Sequence, residues 1–330
     1  MIPAASKLSP EVFTKEVPSA PTRDGFGTGT VEAGKTHGGV VVLCADLKES
    51  TRAEWFEKEF PDRFVEVGIA EQNMVGLAAG MAMAGKIPFI ASYAAFSPGR
   101  NYEQIRTMVA LNELPVKVAG MHAGVSVGPD GATHQMLEDL GMMRMLPGMT
   151  VVAPVDAEEG RKAVLAAVAH DGPVYLRFGR SSVPTITTSD TPFTLGKALT
   201  LWESARPTVA LLATGSMSSA ALTAARALDA DGIGSIVLHV PTVKPLDEEA
   251  VLAAAQKCGK VVTIEEHQVQ GGFGSAVAEF LSSSYPVPVK RVGIQDAFGQ
   301  SGTPEELLEH YGLSPAKISS AVRAFVGSRA

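Results

Sequence analysis

Along this chain, short unbroken apolar runs alternate with longer stretches in which apolar residues recur at helical spacing. That is the pattern of strands buried on both faces and of the helices that cover them. Residues 39–44, 86–93, 114–121, 149–154 and 173–178 predict strands. An amphipathic helix is expected from near Thr22, a second at 103–111 and a third at 156–169, with Asp156 as its cap. Between the first two strands, residues 64–67 predict a short strand that turns at Gly68 into a helix of Ala, Gly and Met running to Gly85. Nearly every side of that helix is expected to be buried, and Gly76, Ala78, Ala79 and Gly80 imply close packing against another helix.

Residues 181–195, rich in Ser, Thr and Pro, read as a linker, and the alternation resumes beyond them at 208–213, 219–228, 234–239, 248–257, 260–265, 273–281 and 289–292. The expected fold class is α/β, with one domain over residues 22–190 and a smaller parallel or mixed domain over residues 191–330. Residues 1–21, with four prolines and little apolar periodicity, are expected to form an arm that lies on a neighbour or stays loose.

Composition narrows the function classes. A chain of 330 residues, 45% hydrophobic and 19% charged, is an ordinary soluble globular protein of about two domains. Its net charge of -7 leaves no basic face for nucleic acid but does not exclude a local anion site. No apolar run is long enough to span a membrane and residues 1–21 carry no signal-peptide pattern, so a cytoplasmic location without membrane association is expected. Cys44 and Cys258, far apart at the ends of predicted strands, read as core thiols in a reducing compartment.

Several residues carry candidate chemistry. Glu71 stands in the first turn of the apolar helix, followed by Gln72 and Asn73. It is either a helix-start device, stabilising by roughly 0.3–1 kcal/mol, or a working acid. Buried and unpaired it would be costly, so it needs a partner that offers a hydrogen, and a ligand heterocycle can do so. Asp46 follows the strand at 39–44, at the sheet edge where ligands gather, and either touches a ligand or caps the next turn. Tyr93, Phe96 and Tyr102 crowd the next strand end. The loop after residue 121 sets His122, Asp130 and His134 among small and turn-forming residues, at a spacing that fits no tight metal clip. Arg177 and Arg180 close the strand at 173–178 and suggest an anion site. Thr214-Gly215-Ser216 opens a helix and offers either ordinary capping or an anion site.

Three segments carry a resemblance to a known family: Val67-Gly68-Ile69-Ala70-Glu71-Gln72-Asn73-Met74, Gly128-Pro129-Asp130-Gly131-Ala132-Thr133-His134-Gln135, and Gly293-Ile294-Gln295-Asp296-Ala297-Phe298-Gly299-Gln300-Ser301-Gly302. Over residues 22–326 the chain resembles the carboxy-terminal half of transketolase, as found where that enzyme is split into two subunits. The resemblance implies two consecutive three-layer α/β domains, the pyrimidine-binding fold and the transketolase C-terminal fold, and thiamine diphosphate as cofactor. It implies that Glu71 hydrogen-bonds the N1′ atom of the cofactor's aminopyrimidine, acting with His122 and His134 as the catalytic set. Phe96 would stack on the ring, with Tyr93 beside it and Asp46 lining the cofactor site. His134 would lie near the donor's reacting carbons, Asp130 would bind a sugar hydroxyl, and His122 would reach toward the phosphate end. Arg23, Ser50 and Arg177 would grip the phosphate, with Arg180 close enough to exchange for Arg177.

Two features depart from the family. Pro98-Gly99-Arg100 stands where many transketolases continue the aromatic segment, leaving Tyr102 as a candidate third wall of the ring pocket. The chain has no Gly-Asp-Gly, and its asparagines are Asn73, Asn101 and Asn112. The family holds the diphosphate and its Mg²⁺ (or Ca²⁺) with Gly-Asp-Gly and a downstream Asn, because a hard cation needs oxygen ligands. The resemblance therefore implies no metal ligand on this chain, a partner N-terminal subunit that supplies the metal half, and an α2β2 heterotetramer with the Glu71 helices at its centre. The implied reaction moves a two-carbon ketol unit from a ketose phosphate such as xylulose 5-phosphate to an aldose phosphate such as ribose 5-phosphate, as in the pentose phosphate pathway. Two alternatives stand beside it. The beta subunit of a 2-oxoacid dehydrogenase resembles the chain at Glu71 but lacks the Asp130–Gln135 segment. A non-catalytic regulatory subunit is the other, against which intact Glu71, His122 and His134 argue.

Overall fold

The computed structural model describes residues 1–327. Among them, the first sheet has seven strands in the order Thr242–Lys244, Thr150–Val152, Val174–Arg177, Lys117–Met121, Ile87–Tyr93, Val40–Cys44, Phe64–Glu66. All neighbours run parallel except the outermost pair, Thr242–Lys244 with Thr150–Val152. Val40–Cys44, Lys117–Met121 and Val174–Arg177 are buried at every position, which is why they read as unbroken apolar runs. Register aligns their carboxyl ends, with Ser92 opposite Gly120 and Gly120 opposite Arg177. The first strand in sequence, Val40–Cys44, lies between the second and the third. The order reverses there, which is where open α/β sheets form their ligand crevice.

The second sheet has the order Val289–Ile294, Val261–Gln268, Val209–Ala213, Ser235–His239, Leu199–Glu203, and its last strand is antiparallel. Three long-range features join distant parts of the chain. Thr242–Lys244, from the second half of the sequence, completes the edge of the first sheet. Ser19–Pro21 pairs antiparallel with Ser182–Pro184, inside the stretch read as a linker. Residues 1–21 lie on their own chain and correct the expectation of a loose or neighbour-bound arm. Ile2, Leu8, Val12 and Phe13 pack on the second core, and Phe13 meets Trp202 edge-on at 5.9 Å beneath the Arg226 guanidinium.

Helix Thr22–Thr36 lies against helix Ala157–Val168, whose start is capped by Asp156 accepting from the Glu159 amide at 2.9 Å. Gly25 allows this approach, since a Cβ there would stand 2.2 Å from the Ala157 carbonyl oxygen. Within the single chain, helix Glu71–Met83 is buried on one side. Met74, Val75, Ala78, Ala79 and Ala82 face the core, while Gln72, Asn73, Leu77, Gly80 and Met83 face outward. One sheet covers one side of a helix, so apolar residues on the other side stay open however small they are. The helix predicted at 103–111 forms as Tyr102–Gln104 followed by a π-helical turn over Ile105–Ala110. Cys258 ends helix Glu248–Cys258 rather than a strand, and burial pushes both thiols up to about 11.

Candidate functional site

The strand Ile87–Tyr93 delivers Tyr93 to the sheet's carboxyl edge, where a tight turn follows. The amides of Phe96 and Ser97 both donate to the Tyr93 carbonyl at 2.8 Å. This turn sets planar groups in a row. His122 stacks on Tyr93 at 3.8 Å and 19°, Tyr93 lies near-parallel to Phe96 at 5.7 Å, and the Arg100 guanidinium lies over Phe96 at 4.0 Å. His134 meets Tyr93 and Phe96 edge-on at 6.1 and 5.4 Å. The row ends at Glu71, 5% exposed, whose Oε1 accepts from Arg100 Nη1 at 3.1 Å. Asn101 fixes the start of the Glu71 helix by donating to the Glu71 carbonyl at 3.0 Å. Tyr102, offered as a third wall, points away and donates to the Met142 carbonyl at 3.1 Å.

His122 begins the loop after Lys117–Met121 with a φ of +55°, a strained backbone for a non-glycine residue. Burial, then the nearby Arg23 and Arg180, push its pKa far below the ordinary histidine value, so the ring is neutral. A guanidinium can only donate, and Arg23 Nη1 lies 3.2 Å from His122 Nε2. The imidazole proton is therefore on Nδ1. That atom is buried without a protein partner, as is Arg23 Nε. Two buried donors without acceptors are a demand for a ligand that accepts hydrogen bonds.

Arg23, Glu49, Ser50, Arg52, Tyr93, His122 and Arg180 line one cavity of about 230 Å³, in which three arginines face a single carboxylate. Ser50 takes part through its backbone, accepting from Arg23 Nη1 at 2.7 Å. Arg52 is partly neutralised by Asp24 at 2.7 Å. Arg180 donates to the Val127 carbonyl at 2.9 Å and stands 3.6 Å from Asp130, which is exposed. Arg177 is not in this group. It is buried in a two-pronged pair with Asp139 at 2.7 and 3.2 Å, and it also donates to the Glu266 carbonyl at 2.8 Å. Arg180, three positions further along the chain, is the guanidinium that reaches the cavity. Asp46, left-handed at φ +59° and exposed, donates its amide to Glu66 Oε1 at 2.7 Å. Glu66 also accepts from the Gly68 amide at 2.9 Å, a turn-fixing role that its place in Val65-Glu66-Val67-Gly68 does not advertise.

The second domain braces the histidine loop from behind. Glu266 Oε1 accepts from the Ser126 amide at 2.6 Å. It lies so close that a Cβ on Gly124, at φ +91°, would be 2.3 Å away. Gln135 Nε2 donates to Val125, Gly128 and Gln300 carbonyls at 3.1, 3.3 and 2.9 Å, tying the loop to the segment 293–302. Two other constellations look chemical but are structural. Ser218, His239 and Glu159 form a buried relay, with Ser218 Oγ 2.6 Å from His239 Nδ1 and His239 Nε2 2.8 Å from Glu159 Oε2. Ser218 and His239 are fully buried in the seam between the domains, where no substrate can reach the hydroxyl. Thr214-Gly215-Ser216 packs into the same seam, the Gly215 amide donating to the Ala153 carbonyl at 3.1 Å. A cavity of about 870 Å³ between Met142, Met145, His267 and Phe298 includes none of the stacked residues. Among the described residues, no three His, Cys, Asp or Glu side chains are grouped to hold a metal ion, and no helix is long and apolar enough to cross a membrane.

Comparison with known proteins gives the family. Residues 19–185 match the family described as transketolase, pyrimidine binding domain, and residues 196–318 match transketolase, C-terminal domain. The chain is 46% identical over 282 residues to the 6-deoxy-6-sulfo-D-fructose transketolase subunit SqwH of Clostridium sp. (strain MSTE9), covering 86% of this chain and 87% of that one. It is 38% identical over 305 residues to one of the subunits of the apulose-4-phosphate transketolase of Phocaeicola vulgatus, covering 92% and 97%. Among solved structures, a split gene transketolase described as an inactive beta4 tetramer superposes with a TM-score of 0.85 at 45% identity, covering 92% of this chain and 97% of that one.

Proposed function

Since the chain belongs to the transketolase family, as the C-terminal subunit of a split enzyme, we propose that it holds the pyrimidine half of a thiamine diphosphate site. With a metal-binding N-terminal subunit it would transfer a two-carbon ketol unit between sugar phosphates. The observation that carries this reading is one row of groups at one sheet edge: a buried carboxylate, an aromatic face and a neutral histidine, ending at a cationic cavity.

The residues fit the cofactor's ring. Glu71 and Phe96 are already bridged by one planar hydrogen-bonding group, so the space between them suits an aminopyrimidine that shares a proton with Glu71 through its ring nitrogen and stacks on Phe96. Bound thiamine diphosphate supplies a carbon nucleophile and an electron sink for the ketol unit. The chain's own groups do the rest. Glu71 exchanges a hydrogen with the ring nitrogen, and Tyr93 backs both Phe96 and His122. His134 and Asp130 bind sugar hydroxyls, and Asp46 lines the cofactor side. His122 offers its Nδ1 proton to an oxygen of the substrate, with its tautomer fixed by Arg23. Arg23 and Arg180 take the terminal anion, as guanidinium forks suit a phosphate. The names of the two relatives carry a sulfo and a phosphate group, both anions such a cavity would accept.

The metal half of the site is assigned to the partner, because the diphosphate-binding Gly-Asp-Gly is not in this sequence. The outward face of the Glu71 helix suits an α2β2 assembly. Ile69 is 73% exposed, Met83 78% and Leu77 40%, and Met108 and Leu111 extend the patch. The test is release of glyceraldehyde 3-phosphate from xylulose 5-phosphate and ribose 5-phosphate, with thiamine diphosphate and Mg²⁺. It is run on this chain alone, on its candidate partner alone and on the mixture. Turnover in the mixture only is the expected result. Turnover by this chain alone would overturn the shared site, and none in any arm would overturn the pentose phosphate substrates.

A further inference from the structure

Glu71 and Phe96 share a neighbour in Arg100. Arg100 Nη1 lies 3.1 Å from Glu71 Oε1 while its guanidinium carbon lies 4.0 Å from the Phe96 ring centre. The carboxylate is 5% exposed and the arginine side chain 50%. Arg100 sits in the turn after Tyr93, where its amide donates to the Phe96 carbonyl at 3.0 Å. From that point the side chain reaches back to Glu71 while staying half exposed. A guanidinium is flat, delocalised and carries its N–H donors in its own plane. An aminopyrimidine is flat and delocalised too, and its ring nitrogen presents an in-plane N–H to a carboxylate once it takes up a proton.

We propose that Arg100 is a built-in stand-in for the cofactor ring, holding the Glu71 carboxylate and the Phe96 face until the aminopyrimidine displaces it into solvent. The inference rests on the reading of the site given above. Two opposing requirements explain such a residue. A nearly buried carboxylate cannot be left unpaired, so an empty pocket needs a cation. A pair with one half-exposed partner is weak and screened by salt, so an incoming ring can take its place. Arg100 meets the first requirement without defeating the second. It thereby stands where the family's further aromatic is missing, serving the empty pocket rather than walling the filled one.

Loss of the stand-in removes a competitor. Titrating thiamine diphosphate with Mg²⁺ into the assembled complex by calorimetry, and following association by stopped flow, tests this without turnover. Arg100→Met is expected to bind about three- to tenfold tighter, through faster association. Arg100→Lys keeps a charge but loses the flat fork and should fall between Arg100→Met and the wild type. If Arg100→Met fails to fold by circular dichroism, Arg100→Gln carries the same expectation. Binding by the Met or Gln variant that is equal to or weaker than wild type would sink the inference, making Arg100 a bystander or a pocket wall. A wild-type complex that binds no thiamine diphosphate would instead sink the reading of the site, and the inference with it.

Discussion

Helix Thr22–Thr36 and helix Glu71–Met83 are both studded with glycine, yet the glycines do opposite things. In the first, a Cβ would stand 2.2 Å from the Ala157 carbonyl at Gly25, 2.4 Å from Trp55 at Gly27 and 2.8 Å from Val164 at Gly29. In the second, Gly76 meets only Met108 Sδ at 3.8 Å and Gly80 meets nothing within 4 Å. Small residues at helical spacing announce close approach, but they do not say whether the approaching surface is in the same chain. One helix has its partner in Ala157–Val168. The other has Ile69, Leu77 and Met83 in the open.

The contrast can be broken at its closed end first. Gly25→Val is expected to destabilise the chain by about 3 kcal/mol or more, because the new atoms meet backbone rather than a movable side chain. A melting temperature close to wild type would show that the two helices can part. Carboxylates at the starts of helices repeat the comparison. Glu71 has an exposed arginine for a partner, whereas Glu265 is fully buried and accepts from the Phe273 and Gly274 amides at 2.7 and 2.8 Å. Burial outweighs those amides and lifts Glu265 from 4.5 to about 7. A carboxyl whose folded pKa is raised contributes stability that is present below its unfolded value and lost as pH rises through the folded one. Unfolding free energy should thus fall by on the order of 2–3 kcal/mol between roughly pH 4.5 and 7 on account of this group. Urea titrations across that range should show the fall flattened in Glu265→Gln, and an unchanged slope would remove the assignment.

At the open end, Leu77→Asp should leave the free chain folded, since Leu77 faces outward, while weakening self-association by about a hundredfold, or about 2.7 kcal/mol. Sedimentation velocity would detect this, and unchanged assembly would mean that the face docks nothing. The smallest effect sharpens the comparison most. Gly80→Ala should leave the free chain as stable as before or more so by up to about 1 kcal/mol, from helix propensity alone. The same change in the assembled protein should weaken association if another helix crosses at that point.

What is legible in the sequence follows the same line. The strand ends are short-range events, and they bring Tyr93, Phe96, His122 and His134 together at the edge where their spacing places them. The Asp156 cap is local too, and it forms. Sequence misleads where a residue's fate depends on something distant. Arg177 and Arg180 are alike in sequence, and Asp139, thirty-eight positions away from Arg177, decides which of them is consumed in an internal pair. The packing of residues 1–21 depends on Trp202 and Arg226, which lie in the other half of the chain. Arg100 stands out in the sequence only as a missing aromatic, because nothing in Pro98-Gly99-Arg100 reports that the side chain folds back onto Glu71. The outward half of the Glu71 helix reads as buried because its composition is that of an interior.

The strand Thr242–Lys244 has a consequence for how such a chain can be inherited. It is encoded after the second domain has begun, yet it forms the margin of the first sheet. A recombination breakpoint near residue 190 would transmit a first domain with a raw edge at Thr150–Val152 and a second domain trailing an orphan ribbon. Shuffling at that joint would cost both products the pairing of Thr242–Lys244 with Thr150–Val152.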